Sequence, residues 1–296
     1  LKARPKYSEG GFYDKILTYH ERHAGQYRVA HDVGTGPGQV AAVLSTHFEN
    51  VVASDVNQTH LDVCKHRKGP RERNITFVLC PGEEISTHVP AASADAIFSG
   101  EALALMDTKK ALNAFATILR QNCTLAAWYY GRPIFADPKC QHIYDKIVNA
   151  LFGSIIKGSS TKTEWKCTTD VMASWFDSVH FEESQWKDVE RYKWNTHGKM
   201  AFYDEEACDF LFDITSAIGQ KEIVIEEPDA DMWAETWNVD EVRRFVHVNL
   251  PGFAAQGLLD HPAVTGLFEE LEVAMGGKEA KHTIAWPVVL ILATKK

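Results

Sequence analysis

Apolar residues in the first half of the chain form short runs, separated by stretches in which they recur every three or four positions. The short runs have the length and character of buried strands and cover residues 28–33, 51–54, 75–79, 95–98 and 125–130. The stretches with helical spacing cover residues 39–48, 58–67 and 108–120. This alternation predicts an α/β fold with a mostly parallel, Rossmann-like sheet that helices cover on both faces.

The second half of the chain has a less regular pattern. Helical spacing returns at 139–152, 240–248 and 264–275, residues 181–194 and 283–294 resemble strands, and the polar, glycine-containing residues 153–169 predict a loop. We therefore divide the chain into three parts. These are an N-terminal cap or lead-in (1–27), a ligand-binding core (28–131), and a cap insertion with the C-terminal completion of the same domain (132–296).

Composition narrows the classes of partner. The formal net charge of −9 argues against a broad surface for nucleic acid or anionic membranes, since phosphates require clustered Lys and Arg. The six cysteines form no CxxC pair, which predicts reduced thiols in a cytoplasmic protein without a metal site. The longest apolar run, 284–293, is about half of a membrane span. These features predict a small-molecule partner and a monomer or homodimer.

The strongest chemical signal is the run of residues 32–38, DVGTGPG, which follows a strand and precedes a helix. Glycines let such a turn approach a ligand closely, and the helix start offers free N–H groups. A dinucleotide-binding turn places its third glycine five positions after the first, where this chain has Gln39. Asp32 would repel a pyrophosphate but suits an ammonium. The turn therefore favours S-adenosylmethionine (SAM) over NAD, and a tight turn without a ligand remains the alternative.

Other candidate contacts follow the next three strands. Asp55 ends the second strand 21 residues after Gly34, a spacing at which an acid accepts ribose hydroxyls, although a helix cap is the alternative role. Val56 comes next and could lie against an adenine face. Gly82 and Glu83 follow the third strand, where they could meet adenine, and Ser99 and Gly100 end the fourth, near the methionine part. A loop with solvated carboxylates is the alternative for residues 82–84.

These segments resemble class I SAM-dependent methyltransferases. The succession DVGTGPG, VVASDV, CPGEEI, ADAIFSGEALALMD and LAAWYYGRP is similar to that class, and most similar to fungal and yeast small-molecule enzymes of the trans-aconitate methyltransferase type. The lead-in residues Arg4–Tyr7 and the late segment from Trp237 also resemble that group. The resemblance implies a seven-stranded sheet with a reversed last strand and a helical, aromatic substrate cap. It implies that Asp32, Gly34 and Gly36 hold the methionine end and that Thr35 and Gly38 belong to the same cofactor site, and it implies S-adenosylhomocysteine (SAH) as the product.

The substrate side is less defined. Relatives carry a His-Trp pair where this chain has Ala104 and Leu105. Because of this difference, we do not assign the substrates of those relatives to this chain. Aromatic residues and one arginine are candidates for the substrate pocket: Tyr13, Tyr19, Trp128, Tyr130 and Arg132. Residues that could act as a base are His20, His23, His142, His247 and Tyr129, although a structural or surface role is the commoner one for any single histidine. The tryptophans at 165, 175, 186, 194 and 233 indicate an aromatic cap or dense core packing.

Three functions remain open at this stage. The first is methyl transfer to an oxygen (of a carboxylate or hydroxyl) or to a nitrogen of a small molecule, with fungal secondary metabolism as the expected setting. The second keeps SAM and the fold but performs a non-methylating reaction, such as cyclisation, or acts as a regulator. The third is an NAD-linked oxidoreductase, which the glycine spacing and Asp32 disfavour.

Overall fold

The computed structural model describes residues 11–23, 25–67, 73–157, 159–228, 230–249 and 257–296. The lead-in residues Arg4–Tyr7 lie outside this part of the chain. The helices are α1 (Phe12–His23), α2 (Gln39–Leu44), α3 (Gln58–Arg67), α4 (Ile85–His88), α5 (Thr108–Ile118), α6 (Pro138–Ile156), α7 (Lys162–Ala173), α8 (Val239–Asn249) and α9 (Pro262–Met275). The strands are β1 (Val29–Val33), β2 (Asn50–Asp55), β3 (Ile75–Leu79), β4 (Ala94–Gly100), β5 (Leu119–Tyr130), β6 (Ile134–Phe135), β7 (Trp186–Trp194), β8 (Ile223–Glu226), β9 (Ala234–Trp237), β10 (His282–Ala285) and β11 (Val288–Lys295).

The central sheet has eight strands in the order β3-β2-β1-β4-β5-β11-β7-β8. Strands β1 to β5 are parallel, and β11 runs antiparallel to both of its neighbours, β5 and β7. The predicted parallel sheet with a reversed last strand is therefore confirmed. The sheet has eight strands rather than seven, because β8 adds a parallel strand beyond β7.

The sheet separates two apolar cores. One face packs against α1, α2, α6, α8 and α9, and the other packs against α4, α5 and α7. Strand order reverses between β1 and β4, so the loops that leave these two strands diverge above the sheet. Open α/β sheets bind their ligands at such a switch point, outside the carboxyl ends of the strands. We call this side of the sheet the carboxyl edge.

Several predicted elements are corrected. Residues 153–169 are not a loop, since α6 continues to Ile156 and α7 begins at Lys162. The final apolar run is two strands, because Pro287 has no N–H for a ladder and Trp286 donates its N–H to Trp233 O instead. Strand β10 thereby joins β6 and β9 in a separate three-stranded sheet. No helix in the described part of the chain is long and apolar enough to cross a membrane.

A buried histidine in the middle of the sheet makes stability depend on pH. His31 on β1 is 1% exposed, and burial lowers its pKa to about 4 from an ordinary value near 6.5. Between pH 4 and pH 6.5 the unfolded chain binds a proton at His31 that the folded chain does not. The part of the stability that depends on a neutral His31 is therefore complete above pH 6.5 and is lost as the pH falls. We expect His31 to cost about 3 kcal/mol of stability between pH 7 and pH 4.

Replacing His31 with leucine tests this expectation. Chemical denaturation at a series of pH values should show that His31→Leu gains stability relative to the wild type as the pH falls from 7 to 4. His142 is exposed on α6, so His142→Gln should follow the wild type. Parallel pH profiles for wild type and His31→Leu would contradict the expectation.

Candidate cofactor site

The turn between β1 and α2 is held from beneath by Asp32. Its Oδ2 atom accepts the Thr35 hydroxyl at 2.6 Å and the Ala41 N–H at 2.9 Å. The carboxylate is 1% exposed, and burial, reinforced by the charge of Asp55, raises its pKa to about 7. Asp32 therefore orders the turn, and Thr35 donates its hydroxyl to Asp32. That Asp32 and Thr35 also contact the ligand directly stays a prediction.

Asp55 lies directly beside this turn, as it must if both bind the same ligand. Its Oδ2 atom accepts the Gly36 N–H at 2.8 Å, and its Oδ1 atom accepts the Asn57 N–H at 2.8 Å. The Nδ1 atom of His60, on the first turn of α3, lies 3.3 Å from the same Oδ1 atom. The sequence did not single out His60, because nothing in its spacing shows that α3 returns its first turn to Asp55.

The three glycines of the turn have different surroundings. All have positive φ: 75° at Gly34, 53° at Gly36 and 83° at Gly38. A Cβ on Gly34 would meet Ala102 Cβ at 2.4 Å, and one on Gly38 would meet Cys64 Sγ at 2.1 Å. A Cβ on Gly36 would meet nothing within 4 Å. The first and third glycines are thus needed for packing, and the middle one faces open space.

Alanine substitutions should separate these roles. Gly38→Ala should lose about 2 kcal/mol or more of stability, because a strained φ and the Cys64 thiol both oppose the new Cβ. Gly36→Ala should lose only about 1 kcal/mol, for φ alone, but should weaken SAH binding because its methyl group enters the open space. Thermal unfolding and calorimetric titration with SAH measure the two effects. Equal loss of stability in both variants would contradict this assignment.

The residues proposed for adenine lie around the ends of β2 and β3. The Val56 side chain is 71% exposed, which leaves it available to a flat ring. A Cβ on Gly82 would meet Met106 Sδ at 2.6 Å, so Met106 lies over this glycine. Glu83 accepts the Asp107 N–H at 2.9 Å and thereby connects the loops after β3 and β4. The sequence did not single out Met106, although the departure at residues 104–106 indicated a change in this loop.

The end of β4 is more enclosed than the sequence suggested. The Ser99 hydroxyl is fully buried and has no hydrogen-bond partner among the described residues, so only the backbone of Ser99 can approach a ligand in the cleft. A Cβ on Gly100 would lie 2.5 Å from the Trp128 ring, which packs flat against this glycine. The next residue, Glu101, has a φ of 61° and accepts the Tyr130 N–H at 2.8 Å. These contacts join the ends of β4 and β5.

Tyr13 and Trp128 lie at the carboxyl edge, in an aromatic cluster. Helix α1 runs antiparallel to β5 and begins at this edge, where the Phe12 ring lies 5.4 Å from Trp128 and 5.0 Å from Trp233. The Tyr13 and Trp128 rings are 6.3 Å apart. Trp194 completes the cluster at the end of β7. This cluster is fully buried beside the switch point, and sequence reasoning missed Phe12, although Phe12, Ile16 and Tyr19 recur at helical spacing.

Tyr19, His20 and His23 lie at the opposite edge of the sheet. The Tyr19 hydroxyl contacts Thr294 at 2.8 Å, and the His20 ring contacts Thr124 at 2.9 Å. Thr124 stands early on β5 and pairs with Thr294 near the end of β11. His23 is bonded to the Tyr19 carbonyl one turn back on α1. The structure therefore does not bring these three residues together with the glycine turn, because α1 carries them toward the other edge of the sheet.

Arg132 is buried in a network of ion pairs and hydrogen bonds. It is 1% exposed, and its guanidinium donates to Ala201 O, to Asp145 at 3.0 Å and to Asp204 at 3.1 Å. Burial alone would raise the pKa of Asp204, but hydrogen bonds and charge from Arg132, with help from Lys199 and Asn149, hold it well below its usual value. All of these donors serve the fold, so Arg132 does not offer a fork to a substrate carboxylate.

The remaining candidates divide between the two faces of β5 and the surface. Trp128 and Tyr130 share the face of α1, and Tyr129 packs on the other face beside Phe176. The Tyr130 ring contacts Phe245 of α8. His142 and His247 are exposed on α6 and α8. Tyr129 therefore faces the opposite side of β5 from Trp128 and Tyr130, as the two-residue period of a strand requires, and all three rings are buried.

The fold and the turn together define a class of protein. A sheet of order 3-2-1-4-5 with a reversed strand after the fifth, and a glycine turn that contacts the acid ending β2, characterise a class I SAM-dependent methyltransferase. The methyltransferase domain family matches residues 31–127. A solved structure of a proposed type II methyltransferase from Anaeromyxobacter dehalogenans shares the fold. It has a TM-score of 0.59 at 16% identity and covers 98% of this chain and 97% of its own.

Curated relatives make the assignment more specific. The chain is 44% identical to methyltransferase pgmE of Aspergillus terreus, an alignment that covers all of this chain and 92% of pgmE. It is 37% identical to methyltransferase cfoB of Aspergillus candidus and 35% identical to methyltransferase ptaI of Pestalotiopsis fici, again over its whole length and over 93% and 91% of theirs. The chain belongs to this family of fungal class I methyltransferases, and it is a methyltransferase.

Proposed function

We propose that this enzyme binds SAM at the switch point and transfers its methyl group to an oxygen of a small organic acid. The observation that carries the cofactor part is the 2.8 Å contact between the Gly36 N–H and Asp55 Oδ2. It places Gly36, which faces open space, directly beside the Asp55 carboxylate. Asp55 would accept the ribose hydroxyls, the backbone of the turn would hold the methionine part, and Val56 with Gly82 and Glu83 would border the adenine.

When bound, SAM supplies a methyl group on a positively charged sulfur, which makes the methyl carbon electrophilic and gives a good leaving group. The protein then has to position the acceptor on line and to exclude water. The cluster of Phe12, Tyr13, Trp128, Trp194 and Trp233 lies at the carboxyl edge with each side chain at most 1% exposed, so it would support the site as packed core.

The choice of methyl acceptor depends on whether a residue of the site can act as a base. His20, His23 and Tyr129 are packed elsewhere, and His142 and His247 are exposed on their helices. A carboxylate is ionised at neutral pH and needs no base, whereas a phenol, alcohol or amine profits from one. We therefore favour a carboxylate oxygen over a hydroxyl or a nitrogen, within a small molecule of fungal secondary metabolism.

Binding and turnover can be tested separately. Calorimetric titration should detect SAM and SAH and should not detect NAD, because the turn lacks the third glycine of dinucleotide sites. The purified enzyme is then incubated with SAM and matched aromatic carboxylic acids, phenols and anilines, and SAH is measured by mass spectrometry. Preferential SAH release with the acids supports the proposal. Binding without SAH release from any acceptor class would favour a non-methylating role.

A further inference from the structure

The Asp55 carboxylate already has three hydrogen-bond donors within the protein. Its Oδ2 atom accepts the Gly36 N–H, and its Oδ1 atom accepts the Asn57 N–H and the Nδ1–H group of His60. A carboxylate only accepts, and it offers about four lone-pair sites, two on each oxygen. Among the described residues no other donor reaches this carboxylate, so Oδ1 is filled and Oδ2 has one site left.

A ribose brings two neighbouring hydroxyl groups, and each needs an acceptor site of its own. The role proposed above for Asp55 is to accept both of them, and the present inference rests on that proposed function. Together with the three protein donors, the two hydroxyls exceed the sites of one carboxylate by about one. One of the protein donors must therefore leave Asp55 when the ribose binds.

The two backbone donors are held in place by other hydrogen bonds. The turn around Gly36 is fixed because Thr35 donates its N–H to Ser54 O at 2.9 Å. Asn57 is fixed because its Oδ1 atom accepts the Thr59 N–H at 2.9 Å at the start of α3. Neither backbone donor can leave the carboxylate unless the main chain moves.

His60 is the donor that can leave. Its side chain is 46% exposed, and its contact with Asp55 is the longest of the three, at 3.3 Å against 2.8 Å for the other two. Hydrogen bonds to a charged group are normally about 2.7–2.9 Å long. Helix α3 itself stays in place, because Leu61 and Cys64 are buried and Cys64 packs against the glycine turn at Gly38. Rotation of one side chain is therefore enough to free a site on Oδ1.

We propose that the ribose of SAM displaces the His60 ring from Asp55, and that His60 thereby limits how tightly the site holds its cofactor. The ring competes with one ribose hydroxyl for one lone-pair site. SAM and SAH carry the same ribose, so the competition weakens the binding of both. His60 is then a residue that sets cofactor affinity, although its ring is not needed to hold the cofactor.

Removing the competing donor should tighten binding. Calorimetric titration should show that His60→Ala binds SAH about 3- to 10-fold more tightly than the wild type does, which is the effect of one hydrogen bond. His60→Leu restores much of the volume without a donor and should show the same gain. His60→Asn keeps an N–H donor and should stay close to the wild type. His66→Ala, at an exposed position on the same helix, is the matched control and should change nothing.

A ligand with one ribose hydroxyl separates this competition from a general change in the site. An SAH analogue that lacks the 2′-hydroxyl needs one acceptor site, which Oδ2 can supply while His60 stays in place. His60→Ala should therefore bind this analogue no more tightly than the wild type does. Nuclear magnetic resonance adds a measurement on the wild type: the His60 ring signals, assigned by their absence in His60→Asn, should shift with SAH and hardly with the analogue.

The outcomes distinguish this inference from the proposed function. If the wild type binds SAH and His60→Ala binds it equally or more weakly, the inference is overturned and the proposed function stands. An equal gain of His60→Ala for SAH and for the analogue would also overturn it, because the gain would not depend on the second hydroxyl. A wild type that does not bind SAH would overturn the proposed function and the inference together.

Discussion

Replacing Asp55 with alanine is expected to weaken SAH binding by roughly 1,000-fold. The carboxylate lies beside Gly36 at the end of β2, where it would accept two ribose hydroxyls. A hydrogen bond to a charged group contributes about 2 kcal/mol, and the loss of two corresponds to about three orders of magnitude in affinity. Asp55→Asn keeps one acceptor oxygen and should fall between this variant and the wild type. Calorimetric titration with SAH measures all three.

The contribution of the ribose contact must be separated from that of the turn, because Asp55 also accepts the N–H groups of Gly36 and Asn57. An SAH analogue without the 2′-hydroxyl separates the two. It should bind the wild type more weakly than SAH does, and it should bind Asp55→Ala no more weakly than SAH does. Asp62→Asn, a surface change on the neighbouring helix, is the matched control. A wild type that does not distinguish the two ligands would contradict the assignment of Asp55 to the ribose.

The sequence was sufficient for the core of the fold, because strand and helix periodicities and the glycine turn are local properties. Asp55 could be assigned from its distance along the chain, since one β–α–β unit returns the next strand end to the same edge. Strands β8 and β9 have only four residues each and pair with distant parts of the chain. Their apolar patterns are too short to distinguish them from loops, and the sequence analysis missed them.

Several substrate-side candidates lie away from the glycine turn for a different reason. The sequence shows that Tyr19, His20 and Arg132 have functional chemistry, but not where their partners lie. Arg132 is neutralised by Asp145 and by Asp204, which is 72 residues away along the chain. The edge of the sheet that a helical residue faces depends on the direction of the helix. Helix α1 has its first turn at the site and its last turn at the far edge, so Tyr13 is near the site and His20 is not.

The second large effect is a loss of stability expected at Arg191, because the cost of burying a charge depends on its ion-pair partner. This arginine is fully buried and donates to the carbonyls of Phe176 at 2.6 Å and Val179 at 2.8 Å. Its one ion-pair partner in the described part of the chain is Glu222, whose side chain is 6% exposed. A buried charge that loses its partner typically destabilises a protein by about 3 to 5 kcal/mol.

We therefore expect Glu222→Ala to lower the free energy of unfolding by about 3 to 5 kcal/mol in chemical denaturation. Glu222→Gln keeps an acceptor for the guanidinium without its charge and should lose less. Glu226→Ala, four residues later, removes an exposed carboxylate and should change stability by less than about 0.5 kcal/mol. Losses of similar size in Glu222→Ala and Glu226→Ala would mean that Arg191 is stabilised by its two carbonyl acceptors alone. A larger loss of stability in Glu222→Ala than in Glu226→Ala would instead show that Glu222 holds in place the chain that leads into β8, the edge strand of the central sheet.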